Sequence, residues 1–196
     1  AARPETIHDF YGFPEALYEL HYRAPGAPEV AAEVARLLRD DGIETAIAPD
    51  RGLDHGAWTP LYHARPKADI PVLQLSIQPH RGSDWHLRLG AALEPLTRQG
   101  IAVIGSGGAV HNVPDAMQRL RGGHDETPEW AALFNDRLCA LVANGDAAGL
   151  EALLASPLGS QAHPSDEHLM PLFVAMGAAG GNNRGRRLHD RFDCGS

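Results

Sequence analysis

The sequence predicts an α/β fold of three layers, in which helices flank a mostly parallel β-sheet. Short apolar runs rich in β-branched residues, which are typical of buried strands, recur at 43–48, 71–77 and 101–104. Longer stretches with apolar residues at helical spacing separate and follow these runs. Because strands that alternate with helices usually pair in parallel through right-handed crossovers, this order predicts the sheet and its helical layers.

The first half of the chain carries clear signals for where its helices begin and end. Pro28 and Gly42 delimit an amphipathic helix over 28–41, since proline suits the first turn and glycine follows the last. Ser83 is the expected N-cap of a helix that continues to residue 98. The other predicted elements of this half are a short helix at 14–20, a strand at 43–48, a short helix at 57–63 and a strand at 71–77.

The second half begins with the strand at 101–104 and is otherwise helical. We predict helices over 128–144, 147–155 and 166–176, a loop over 159–165 and a turn or mobile segment over 177–187. No internal repeat and no long linker divides the chain, so we expect a single domain over residues 1–196.

Composition and charge exclude several classes of function. Hydrophobic residues make up 43% and charged residues 21% of the chain, which is the composition of a folded globular protein. The net charge of −8 and the pI near 5.7 argue against a nucleic-acid partner. No apolar run approaches the roughly 18 residues that span a bilayer, so we expect no membrane partner. Cys139 and Cys194 fit neither a zinc finger nor a disulfide framework, which favours a reducing, cytoplasmic location.

A glycine-rich loop at 105–108, directly after the strand at 101–104, is the first candidate for a site. In an α/β protein this loop lies at the carboxyl edge of the sheet, where ligands usually bind. Val110 stands where a dinucleotide-binding turn needs its third glycine, and the loop contains neither a P-loop lysine nor a nucleophile elbow. His111 follows without a carboxylate nearby in sequence, which suits a residue that accepts a proton.

Eleven histidines are an unusual number for this chain, and further ones lie at the predicted ends of elements. His55 follows Asp54, which would favour a protonated imidazole, and it is either an acid–base group or part of a turn. His163 and His168 enclose 164–167, where a serine N-cap precedes two carboxylates that could orient imidazole rings. This segment is either part of a metal site or a charged first helical turn with two incidental histidines.

Four ordered motifs together resemble one known family. They are PETIHDFYGFP at 4–14, GLDHGAW at 52–58, GSG with VHN at 105–107 and 110–112, and HP, EH and PL at 163–164, 167–168 and 171–172. In this order, and over essentially the whole chain, they resemble the class III (LigB-like) extradiol ring-cleaving dioxygenases of the 4,5-DOPA type. The resemblance implies an α/β fold, a non-haem Fe(II) with zinc often in its place, and a catechol ring that O₂ opens beside its diol.

The resemblance also implies a role for each candidate histidine. His55 is similar to the family's general acid and His111 to its general base, although the equivalent of His111 is also counted among the metal ligands. His168 matches a metal ligand, and we assign His163 to substrate binding. Residues 1–196 would then form a single catalytic domain that acts on a small-molecule catechol.

The chain departs from the family pattern at its start. Family members carry a further N-terminal segment with Ser-His-Gly-Ser-Pro and Ser-Ala-His-Trp, each of which supplies a metal ligand, and neither occurs here. We therefore expect a sequence truncated at both ends. The alternatives are a catalytically inactive metal-binding or interaction protein of the Memo type on the same fold, and a zinc hydrolase. Because a binding protein needs no acid–base pair, His55 and His111 together favour the dioxygenase.

Overall fold

A computed structural model describes residues 1–124 and 126–192 of this chain. The chain divides into an N-terminal unit, Ala1–Ser76, and a C-terminal unit, Ile77–Ser196. Cys194 lies outside the described residues. None of the helices in the described part of the chain is long and apolar enough to cross a bilayer.

The N-terminal unit contains three helices, α1 (Glu15–Tyr18), α2 (Pro28–Asp40) and α3 (His55–Ala64). The predicted helix over 28–41 is confirmed by α2, which has proline in its first turn. Gly42 follows it with a φ of 73°, a left-handed conformation that favours glycine. One apolar cluster of this unit consists of Tyr22, Ala24, Leu53 and Trp58, and α2 also buries three of its side chains.

The described residues of the C-terminal unit form six helices. They are α4 (Gly82–Thr97), α5 (Val113–Gly122), α6 (Glu129–Asn144), α7 (Ala147–Leu154), α8 (Pro157–Ala162) and α9 (Met170–Ala178). Short 3₁₀ turns occupy Pro79–Arg81, Asp166–His168 and Gly180–Asn182. Phe134 of α6 and Phe173 of α9 are fully buried, and an apolar cluster from α6 to α9 surrounds them.

Regular strands are where structure and prediction differ most. The runs at 43–48, 71–77 and 101–104 lie outside any named strand, and the described residues form two isolated parallel bridges, Thr6 with Leu53 and Gly26 with Val72. Side chains such as Ile104, which is 68% exposed, are not covered as those of a central strand would be. The mostly parallel sheet stays a prediction.

Three helical details also differ from the prediction. The helix α5 was not predicted, although the Asn112 cap and the proline in its first turn are signals of a helix start; none of its residues is buried, and its apolar side chains are exposed. The predicted loop at 159–165 overlaps α8, which begins after Ser156, whose hydroxyl oxygen accepts from the Gly159 N–H at 3.1 Å. Ser83 lies within α4 and is buried rather than serving as its N-cap.

Two glycines let α4 and α9 pack backbone to backbone. A Cβ atom on Gly90 would lie 2.0 Å from the Val174 carbonyl oxygen, and one on Gly177 would lie 2.1 Å from the Leu87 carbonyl oxygen. Neither distance is compatible with a methyl group in place. The helices touch at this depth because both positions lack a side chain.

The variant Gly90→Ala is expected to lower the free energy of unfolding. The added methyl forces α4 and α9 apart, which costs about 1–3 kcal/mol and outweighs the better helix propensity of alanine. Urea unfolding measures the change. Gly181→Ala is the matched control, because a Cβ there meets nothing within 4 Å. Equal stability of the two variants would contradict the close packing.

His86 in α4 is fully buried, and both of its ring nitrogens are bonded. Its Nδ1 lies 2.5 Å from the Gly82 carbonyl oxygen, and its Nε2 accepts from the Gln78 backbone N–H at 3.1 Å. Because Nε2 accepts this bond, Nδ1 carries the ring proton and donates. Burial lowers the pKa of His86, so the ring stays neutral in the folded protein.

Acidification is therefore expected to destabilise the fold through His86. Below the ordinary histidine pKa of 6.5, the unfolded chain binds a proton that folded His86 takes up only at lower pH. The contribution of His86 is complete above pH 6.5 and falls below it by up to roughly 1.4 kcal/mol per pH unit. Urea unfolding at several pH values measures this slope. His86→Gln should flatten it and the exposed His189→Gln should not; an unchanged slope in His86→Gln would refute the assignment.

Candidate functional site

The glycine-rich loop lies directly against the backbone of the segment that carries His168. A Cβ on Gly105 would lie 2.3 Å from the Pro171 carbonyl oxygen, and one on Gly107 would lie 2.0 Å from the His168 carbonyl oxygen. The glycines thus permit a close approach of two backbones, because a side chain at either position would collide with a carbonyl oxygen.

The residues after this loop are fixed to the end of α8. The His111 backbone N–H donates to the Ala162 carbonyl oxygen at 2.9 Å. Asn112 caps α5, since its Oδ1 accepts from the Asp115 N–H at 3.1 Å, and its Nδ2 donates to the Gln161 carbonyl oxygen at 2.7 Å. These bonds set the position of the His111 side chain.

The His163 side chain is bonded to the same stretch of chain, just before His111. It is 2% exposed, its Nε2 lies 2.9 Å from the Ala109 carbonyl oxygen, and its ring packs against Phe134. Burial lowers the pKa of His163, so the ring is neutral and Nε2 donates to the carbonyl oxygen. The substrate-binding role predicted for His163 stays a prediction, and the buried ring is bonded to the loop before His111.

His111, Glu167 and His168 form a cluster of possible metal ligands. One donor atom from each, two imidazole nitrogens and a carboxylate oxygen, all lie within 4.8 Å of one another. The rings of His111 and His168 are stacked with centroids 3.3 Å apart and planes 12° from parallel. His168 belongs to the 3₁₀ turn before α9, rather than to the first turn of a helix that begins at residue 166.

Glu167 is charged at neutral pH and held in place. The hydroxyl of Ser165 donates to its Oε1 at 2.8 Å. Burial raises the pKa of Glu167. Hydrogen bonds from its own backbone N–H and from Ser165, together with the charges of His168 and His111, lower it by more, so the pKa lies below its usual range. The sequence suggested that this carboxylate orients an imidazole ring. Its position among the possible metal ligands was not predicted.

The chemistry of this donor set fits a divalent transition metal. Neutral imidazole nitrogens combined with one carboxylate oxygen are ligands that both zinc and non-haem iron accept. Glu167 and His168 would hold the metal, and His111 beside them is either a third ligand or a base.

His55 lies in the N-terminal unit and is the first residue of α3. A single carboxylate oxygen, Asp9 Oδ1, accepts from the His55 backbone N–H at 2.9 Å and lies 2.8 Å from its Nδ1. The neighbouring Asp54, which the sequence suggested as the partner of His55, instead bonds to Gln74 and to Arg51. The sequence missed Asp9 because it lies 46 residues away.

The structure therefore brings two of the predicted site residues together, His111 and His168, with His163 fixing the loop that carries the first. His55 stands in the other unit with its own carboxylate. Glu167 and Asp9 are the additional residues that the structure reveals. The metal-binding and catalytic roles of the histidines stay predictions.

Known proteins resemble the chain over almost its full length. A family model described as the catalytic LigB subunit of aromatic ring-opening dioxygenase matches residues 1–194. The 4,5-DOPA dioxygenase extradiol of Mirabilis jalapa is 42% identical over 188 residues, which cover 94% of this chain and 68% of the relative. The protein of the same name from Beta vulgaris is 42% identical over 196 residues, covering 97% and 70% of the two chains.

A solved structure is also similar. The crystal structure of an uncharacterised protein from Escherichia coli K12 superposes with a TM-score of 0.74 at 32% identity, covering 91% of this chain and 71% of the other. Fold and family thus agree, and they identify a metal-dependent extradiol enzyme that opens aromatic rings. The chain belongs to the LigB family of aromatic ring-opening dioxygenases.

Proposed function

We propose that the substrate is a DOPA-like or otherwise substituted catechol, and that Fe(II) is the working metal, with zinc able to take its place. The cluster of His111, Glu167 and His168 is the observation that carries this proposal, because its donor set suits either ion. The names of the plant relatives support a DOPA-like substrate. A bound Fe(II) would supply the redox chemistry that lets a catechol react with O₂.

In this proposal each histidine of the site has one role in metal binding, proton transfer or positioning. His168 and Glu167 hold the metal, and His111 accepts a proton from a catechol hydroxyl. His163 keeps the loop of His111 in register through its bond to the Ala109 carbonyl oxygen. His55 returns a proton to the opened product. Nδ1 of His55 is engaged by Asp9, so Nε2 is the atom that exchanges this proton.

We also propose that residues 1–196 form a single catalytic domain around a mostly parallel sheet. The isolated bridges of Thr6 with Leu53 and of Gly26 with Val72 are both parallel, which supports that arrangement. The apolar runs at 43–48, 71–77 and 101–104 are its expected strands.

Ring cleavage can be tested directly on the chain. We expect the protein, loaded with Fe(II) under anaerobic conditions, to consume O₂ on addition of a 4-substituted catechol and to form a yellow ring-opened product. Mass spectrometry with ¹⁸O₂ should show both oxygen atoms in that product. Full metal occupancy without O₂ consumption would reject the proposal in favour of a metal-binding protein on the same fold.

A further inference from the structure

We propose that Asp9 is a positioning residue that fixes the tautomer of His55. It holds the ring proton on Nδ1 and leaves Nε2 as the atom that exchanges protons with substrate. This inference rests on the acid–base role proposed for His55. Asp9 belongs to the motif at 4–14, and the family resemblance assigned no role to it.

The geometry of the pair determines the tautomer. Asp9 Oδ1 accepts the His55 backbone N–H at 2.9 Å and lies 2.8 Å from the His55 Nδ1. Because a carboxylate oxygen can only accept, the ring proton must lie on Nδ1 for this contact to be a hydrogen bond. Both bonds end on one oxygen of Asp9, so the backbone and the ring of His55 are oriented by the same group.

The carboxylate next to His55 in sequence does not replace Asp9. Asp54 precedes His55 in sequence, but its Oδ2 accepts from Gln74 Nε2 and lies 3.0 Å from Arg51 Nη2. Its side chain also makes no capping bond to α3. Asp9, rather than the side chain of Asp54, accepts the first backbone N–H of this helix, where the helix dipole favours an anion.

Asp9 is held in position by contacts of its neighbours in sequence. The Trp58 indole N–H donates to the Ile7 carbonyl oxygen at 2.9 Å, and the Phe10 ring meets the His55 ring edge-on at 5.9 Å. Burial raises the pKa of Asp9, but its bonds from the backbone and ring of His55 lower it more, so the group is a carboxylate at neutral pH. A charged acceptor on an anchored segment is what fixing a tautomer requires.

The tautomer can be observed without any turnover. In the ¹⁵N-histidine-labelled chain, we expect the neutral His55 ring to be in the Nδ1–H form, with its signals assigned by their loss in His55→Gln. Asp9→Ala should shift the ring toward the Nε2–H form. Asp54→Asn is the matched control and should leave the tautomer unchanged. An Nδ1–H ring that persists in Asp9→Ala would overturn the inference.

Kinetics then test whether the tautomer matters to the reaction. In the Fe(II)-loaded chain, Asp9→Ala should lower kcat by about 10- to 100-fold with little change in the KM for the catechol. Asp9→Asn keeps an acceptor oxygen and should restore part of the loss, and it serves in place of Asp9→Ala if the latter fails to fold. An unchanged kcat despite a shifted tautomer would overturn the positioning role. A wild-type chain without ring cleavage would reject the proposed function, whereas the NMR result decides the tautomer by itself.

Discussion

Gly107→Ala is expected to weaken metal binding by at least about 10-fold and to reduce turnover by a similar factor. The new methyl group would lie 2.0 Å from the His168 carbonyl oxygen, so either the glycine-rich loop or the turn that carries His168 must move. The turn carries the proposed ligands Glu167 and His168, so its displacement weakens metal binding. Displacement of the loop moves His111 away from the metal and lowers turnover. Zinc titration of the purified chain measures the affinity.

The neighbouring variant Ser106→Ala is the control for this substitution. Ser106 is exposed and lies in the same loop, so the loss of its hydroxyl should leave zinc affinity unchanged. Gly107→Ala with wild-type affinity would show that the loop yields without disturbing His168. The close approach of the two backbones would then have no bearing on the site.

His111→Ala and His168→Ala are expected to separate chemistry from metal binding. If His111 is the base, its removal keeps the metal and lowers turnover by roughly 10²- to 10⁴-fold, the usual contribution of a general base. Removal of His168 deletes a ligand, and the metal should be lost together with activity. Metal content after gel filtration and O₂ consumption are the two measurements.

The exposed His189→Ala variant should match the wild type in both measurements. Loss of metal from His111→Ala would make His111 a ligand rather than the base, which is the other role that its family resemblance implies. Retention of metal by His168→Ala would remove the central ligand from the proposed site. The two variants thus test whether His111 and His168, whose rings lie only 3.3 Å apart, have different roles, one as base and one as metal ligand.

Helices with both an apolar stripe and an end signal could be predicted from the sequence. The helix over 28–41 was found from Pro28, Gly42 and its apolar spacing, because all three act within one stretch of chain. By contrast, α5 was missed, although the Asn112 cap and the proline in its first turn are signals of a helix start and Gly123 follows its last turn. Strand pairing depends on segments far apart in sequence, and only two parallel bridges are formed by the described residues.

The residues of the site also differ in whether a local sequence signal identifies them. His111 and His168 were selected by their positions beside turn residues, and the structure brings their rings into contact. Asp9 could not be selected, because its bond to His55 spans 46 residues and a nearer carboxylate, Asp54, competes in any local interpretation. The burial of His163 likewise depends on Phe134 of another helix, which its own sequence neighbourhood does not reveal.

The ties between 109–112 and 161–163 have a consequence for how the site opens. Three hydrogen bonds, from the His111 N–H, the Asn112 amide and the His163 ring, join these two short stretches as a ladder would. A local fluctuation that breaks one rung leaves the other two to restore it, whereas loss of all three releases both stretches at once. The His111 amide proton exchanges with solvent when its bond to Ala162 opens, so its exchange rate reports how well the other two bonds keep this one closed.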